Sequence, residues 1–153
     1  MPLTKLDLER ILDITDPFLM IDAVPELTPG KTCHAQLSVA PDEWFMTCHL
    51  TRSPVMPGVL QAEVMLQAFA LPVLTDAGHE GLQSYLRNFE LALYKKVERR
   101  AAPFILDANA TITDARRGIY KGTAELRLEG ELVAALKVTM VSPHAMAAPR
   151  AAS

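Results

Sequence analysis

The chain has 153 residues, half of them apolar and 22% charged, which suits one soluble domain with a real core; no run nears the ~18 apolar residues that span a bilayer. A formal net charge of −3 gives no pull toward nucleic acid or an anionic membrane. Two cysteines make no disulfide framework, and Met1–Arg10 lacks the basic-then-apolar layout of a signal peptide, so the expected compartment is the cytoplasm.

Leu3 to Ile14 places Leu3, Leu6, Leu8, Ile11 and Leu12 near helical spacing, which predicts a short amphipathic helix with Thr4 as N-cap and Asp16-Pro17 as its breaker. Phe18–Ala23 is a candidate strand, and Thr28-Pro29-Gly30 reads as a turn. Lys31–Ala40 alternates, with Cys33, Ala35, Leu37 and Val39 on one side, and predicts a half-buried strand. The stretch from Asp42 to Leu50 carries Trp44 and Phe45 and runs into a bend at Pro54 and Pro57. Val59–Leu74 is apolar except for Gln61, Glu63 and Gln67, so it predicts a helix buried nearly all round, opened by Pro57-Gly58.

The remainder is strand-like: Leu82–Val97, Phe104–Thr113, Ile119–Leu128 and Glu131–Val141. Turn residues separate these runs at 99–103, 116–118 and Glu129-Gly130, the last a tight hairpin signal. The expectation is a single domain over 1–143 and a disordered Ala/Pro/Ser-rich tail over 144–153. One buried helix on one face of an antiparallel sheet is an α+β arrangement.

Cys33-His34 and Cys48-His49 invite a zinc reading. Adjacent residues in a strand point to opposite faces, and the usual ligand spacings are missing, so no metal and no cofactor is expected.

The segment from His49 to Gln67 carries chemistry. Histidine titrates nearest neutral pH and suits a general base. Glu63 sits in an apolar helix, where burial favours the protonated acid. The helix start at Gly58 and Val59 leaves backbone N–H groups unpaired at the positive end of the dipole, a place for an oxygen gaining charge. Gln67 lies one turn from Glu63 on the same face. A half-buried structural histidine and a solvent-facing carboxylate are the competing readings of the same residues.

The segment resembles the 3-hydroxyacyl-(acyl carrier protein) dehydratases of the hotdog superfamily, which carry His-Phe-Pro-Gly-Arg-Pro-hydrophobic-Met-Pro-Gly-Val-Leu and then an acid fourteen residues after the histidine. Here His49 and Glu63 keep that spacing, Pro54 to Leu60 match the middle, and Gln67 matches a glutamine four residues past the acid. Pro17 to Asp22, Pro29-Gly30-Lys31 and Glu129 to Ala134 extend the likeness over roughly residues 10 to 141.

The resemblance implies a dimeric hotdog fold, a long central helix wrapped by an antiparallel sheet. It implies His49 of one subunit facing Glu63 of the other, with an acyl tunnel beside the helix. The Gly58 N–H would polarise the thioester carbonyl and the Val55 carbonyl would orient His49. The implied reaction is dehydration of a 3-hydroxyacyl thioester to the trans-2-enoyl thioester. The implied partner is an acyl carrier protein, or coenzyme A, and the basic cluster Lys95, Lys96, Arg99 and Arg100 would dock the acidic carrier; a solvated strand end is the plainer reading of those charges.

The sequence departs from the family at Leu50-Thr51-Arg52-Ser53, at Asp13 to Asp16 and at Arg99 to Ala102, which points to a specialised polyketide or secondary-lipid branch. Arg52 in place of a glycine bears on tunnel width. An enoyl isomerase, an acyl thioesterase, or a non-catalytic hotdog subunit pairing with an active paralogue are the alternatives, because fold alone does not decide chemistry.

Overall fold

The computed structural model describes residues 2–79 and 81–143. The expected tail at 144–153 lies outside the described residues.

Helix α1, Lys5–Leu12, opens with Thr4, whose hydroxyl accepts from the Asp7 N–H at 3.2 Å while Asp7 Oδ2 accepts from the Thr4 N–H at 2.8 Å. This reciprocal pair satisfies two donors that a helix start leaves open. The helix stops at Asp13, in the left-handed region at φ 57, before the predicted breaker at Asp16-Pro17 is reached.

The sheet is antiparallel and six-stranded: β1 (Ala23–Thr28), β2 (Thr32–Val39), β3 (Tyr85–Leu93), β4 (Phe104–Arg116), β5 (Ile119–Leu128) and β6 (Glu131–Val141), in the spatial order β1-β2-β4-β5-β6-β3. Both two-residue hairpins, Arg117-Gly118 and Glu129-Gly130, have positive φ at both positions, the twist that suits a tight antiparallel turn. Two expectations shift. The strand predicted at Phe18–Ala23 is instead an irregular segment with Leu19, Met20 and Ile21 buried, and β1 begins where it ends. The strand predicted over Leu82–Val97 is pared to Tyr85–Leu93.

Helix α2 is a single turn, Trp44–Thr47, and α3 spans Gly58–Leu74. From Leu60 to Leu74 every residue of α3 but Glu63 is buried, because the sheet curls around it. Small residues make that close approach possible. Ala35 pairs with Ala108, and Cys33 with Ala110, which pairs in turn with Ala124, and all are buried. Phe69 of α3 lies over Gly122 of β5, where an added Cβ would sit 2.6 Å from the ring and 2.0 Å from the Thr111 carbonyl oxygen. Each fully buried Leu or Phe of this interior stabilises the fold by roughly 1.5–3 kcal/mol. Among the described residues no helix is long and apolar enough to cross a membrane.

Candidate active site

His49 follows α2, and the chain after it turns sharply: Leu50 takes φ 47 and its carbonyl accepts from the Ser53 N–H at 2.8 Å. The returning segment is stitched to the stretch after β3. Met56 N–H donates to Val97 O at 2.8 Å, Arg99 N–H to Pro54 O at 3.1 Å, and Val55 bridges Glu98. This fixes the Val55 carbonyl, which lies 3.0 Å from His49 Nδ1. A carbonyl only accepts, so Nδ1 carries the hydrogen and Nε2 of the neutral ring is left with a lone pair. The contact expected for Val55 is therefore present.

Gly58 opens α3 with Pro57 as its N-cap. The Leu60 and Gln61 N–H groups already reach the Pro57 carbonyl, whereas the first N–H, that of Gly58, has no partner inside the helix, and Gly58 lines the depression that holds His49. That depression, about 260 Å³, also takes in Val55, Gln61, Leu93, Lys95 and Lys96. A Cβ on Gly58 would stand 2.5 Å from Leu93 Cδ1, so glycine lets β3 close over the helix start.

Glu63 opens into a different space, a groove of about 310 Å³ that runs down α3 past Leu66, Gln67, Ala70 and Leu74. Burial pushes its carboxyl above the ordinary carboxylate range, and one hydrogen bond from Gln67 pulls the other way. Gln67 is fully committed. Its Oε1 accepts from Met20 N–H at 2.8 Å, and its amide hydrogens go to Phe18 O at 2.8 Å and Glu63 Oε1 at 2.9 Å. Those three bonds fix the orientation of the amide. Because Glu63 Oε1 already accepts from Gln67, Oε2 is the oxygen left free to carry a transferable proton.

Removing the charge should show in stability. A carboxyl whose pKa is raised on folding favours the fold while protonated, below the unfolded value of about 4.3, and that contribution is lost as pH rises through the folded pKa. Glu63→Gln is thus expected to melt higher than the parent at neutral pH, with the advantage shrinking toward pH ~4. Thermal melts across that range check it; an advantage that does not vary with pH would deny the burial penalty.

The basic cluster divides. Lys95 pairs with Glu131, and Arg100 pairs with Glu129 and lies over the Phe104 ring at 5.0 Å. Lys96 and Arg99 are exposed. Arg52 is exposed as well and lines neither depression, so its bulk does not narrow the groove within one chain. Cys33 is buried in β2, where burial pushes its thiol up to about 12, while Cys48 caps α2 and is exposed. The sequence did not single out Gln61, Leu93 or Tyr94 beside His49; their signal is tertiary, from β3 lying along the helix start.

The FabA-like domain family matches residues 14–137 of the chain. The chain belongs to the FabA-like family. Within it, the chain is 34% identical over 142 residues to the 3-hydroxyacyl-(acyl carrier protein) dehydratase FabZ of Shewanella woodyi, covering 89% of this chain and 91% of the relative. It is 35% identical over 135 residues to the FabZ of Wolbachia pipientis, covering 88% and 93%. Among solved structures, the dehydratase heterocomplex ApeI:P of Xenorhabdus doucetiae superposes with a TM-score of 0.72 over 89% of this chain and 90% of that one, at 14% identity. At that identity the superposition speaks for the fold, and it gives this FabA-like chain the hotdog architecture that its sequence implies.

Proposed function

We propose that this chain is a hydro-lyase that dehydrates a 3-hydroxyacyl thioester presented by an acyl carrier protein, with His49 as base and Glu63 as acid. The observation that carries the reading is how the two groups are held: His49 Nδ1 lies 3.0 Å from the Val55 carbonyl with Nε2 left free, and the Gln67 amide holds Glu63 Oε1 at 2.9 Å with Oε2 left free. In the reaction, Nε2 removes a proton from C2 while charge gathers on the thioester oxygen at the Gly58 N–H. The C2 electron pair forms the C2–C3 double bond, the C3–O bond breaks, and Glu63 Oε2 gives its proton to the leaving hydroxyl. Water and the trans-2-enoyl thioester result, and the proton gained by His49 balances the one lost by Glu63. Turnover of a carrier-bound 3-hydroxyacyl substrate, followed by mass spectrometry, tests this. Loss of the mass of water is expected; release of the free acid would make the chain a thioesterase, and an unchanged substrate would make it a binding subunit.

Within one chain the two side chains face depressions that share no lining residue. A dimer resolves this by bringing one subunit's His49 to the other's Glu63. β3 supports such pairing: it ends the sheet, and Tyr85, Leu86, Phe89 and Leu93 are exposed along it. An unpaired apolar edge strand invites a second strand. The partner is a second copy of this chain, or a paralogue in a mixed dimer. A cytoplasmic location is part of the same reading.

The carrier would approach over the segment that pins Val55, since Lys95 and Lys96 line the His49 depression and Arg99 is bonded through its backbone to Pro54. Lys96 and Arg99, rather than the salt-bridged Lys95 and Arg100, should carry the attraction. Reversing both to glutamate is expected to raise KM for carrier-bound substrate roughly tenfold, one power of ten per ~1.4 kcal/mol, and to leave a small thioester mimic unaffected. Equal losses on both substrates would remove the docking role.

A further inference from the structure

The Glu63 groove does not end in apolar residues. It passes Leu66, Ala70 and Leu74 of α3, a rise of about 16 Å from Glu63 to Leu74, and its wall away from the helix is built from the end of α1 and the start of β3. There Asp13, Gln83 and Tyr85 form a hydrogen-bonded chain. Tyr85 Oη donates to Gln83 Oε1 at 3.1 Å, and Gln83 Nε2 donates to Asp13 Oδ2 at 2.6 Å. Tyr85 and Gln83 each give one hydrogen in the direction of Asp13, which leaves open the second Gln83 N–H and the lone pairs of the Asp13 carboxylate and of the Tyr85 oxygen.

Resting on the dehydratase reading, we propose that this groove selects an acyl chain whose far end carries a hydroxyl group. An alkyl end placed against Asp13 would strip water from a carboxylate and return no hydrogen bond, which is unfavourable. A carboxylate end would meet like charge. A hydroxyl donates to the open acceptors and replaces the water it displaces. The selecting residues lie just past α1 and at the entry to β3, outside the His49–Gln67 segment, so they set which chain is accepted without taking part in the proton transfers.

The test compares carrier-bound 3-hydroxyacyl substrates of equal length, one ending in a methyl group and one in a hydroxyl, across a chain-length series. At the length that spans the groove, kcat/KM is expected to favour the hydroxyl end by roughly five- to tenfold, the worth of about one hydrogen bond. The ratio should fall toward one in Asp13→Gly combined with Tyr85→Phe, which removes both acceptors; glycine adopts the left-handed backbone at position 13, so the cap of α1 is kept. A purely structural defect lowers both substrates alike and leaves the ratio standing, which would overturn the proposal. So would a parent enzyme that prefers the methyl end at every length. If neither substrate loses water, the dehydratase reading itself falls and this inference falls with it.

Discussion

His49→Ala and Glu63→Gln are each expected to lower kcat/KM for dehydration by roughly a hundred- to ten-thousand-fold, the usual contribution of a positioned acid or base. The reason differs for the two. Alanine at 49 removes the atom that accepts the C2 proton, whereas glutamine at 63 keeps the shape and the bond to Gln67 and removes only the transferable proton. Folding should survive the second change, so its loss of rate reads as chemistry. Because the two groups face separate depressions in one chain, the arrangement across a dimer makes a stronger prediction. Mixing the His49→Ala and Glu63→Gln chains should restore activity, since each mixed dimer then contains one site with both groups intact. Measuring the mixed species after confirming by mass that it forms decides the matter: inactivity there would place acid and base in the same chain, or put the chemistry elsewhere.

The second large effect concerns the fold. Gly122→Ala is expected to destabilise the protein by about 4 kcal/mol or more, above the usual range for overpacking a filled core, because the backbone itself is in the way. The added methyl would stand 2.0 Å from the Thr111 carbonyl oxygen and 2.6 Å from the Phe69 ring, and a carbonyl held between paired strands has no room to yield. Relief requires parting β4 from β5 or lifting α3 from the sheet, and either exposes apolar surface. For a chain of this size the melting temperature should fall by roughly 10 °C or more. A melt within a few degrees of the parent would show that the helix rests on the sheet less tightly than the geometry says.

Much of this architecture was legible in the sequence because its signals are local. The helix at 58–74 announces itself by being apolar on all sides, and the turn at 116–118 and the hairpin at 129–130 by their glycines between strand-like runs. The strand expected at Phe18–Ala23 was misplaced for an instructive reason. Apolar content marked burial correctly at Leu19, Met20 and Ile21, but the segment is tied down through Met20 N–H and Phe18 O by Gln67, 47 and 49 positions away, and not by strand pairing. The strand that does form there, Ala23–Thr28, has no buried residue and contains Pro25, so it carries little apolar pattern. The apolar run overstates β3 because nothing local reveals that the chain leaves the ladder near Tyr94, whose N–H goes to Val133 O, and then turns to pin residues 54–56. At the site, the i to i+4 contact of Gln67 with Glu63 follows from helical spacing, whereas its other two bonds and the Asp13–Gln83 contact join segments far apart in sequence.

The near-complete enclosure of α3 also limits how such a protein can diversify. Most side chains of the central helix pack into the interior, so drift there is paid for in misfolding before it can be tried on a new metabolite. The end of α1 and the first residues of β3 bear no such burden: Asp13, Gln83 and Tyr85 are exposed, and changing them leaves the interior untouched. Variants with new appetites should therefore differ first at this outer rim, with the inherited motif beneath it unchanged.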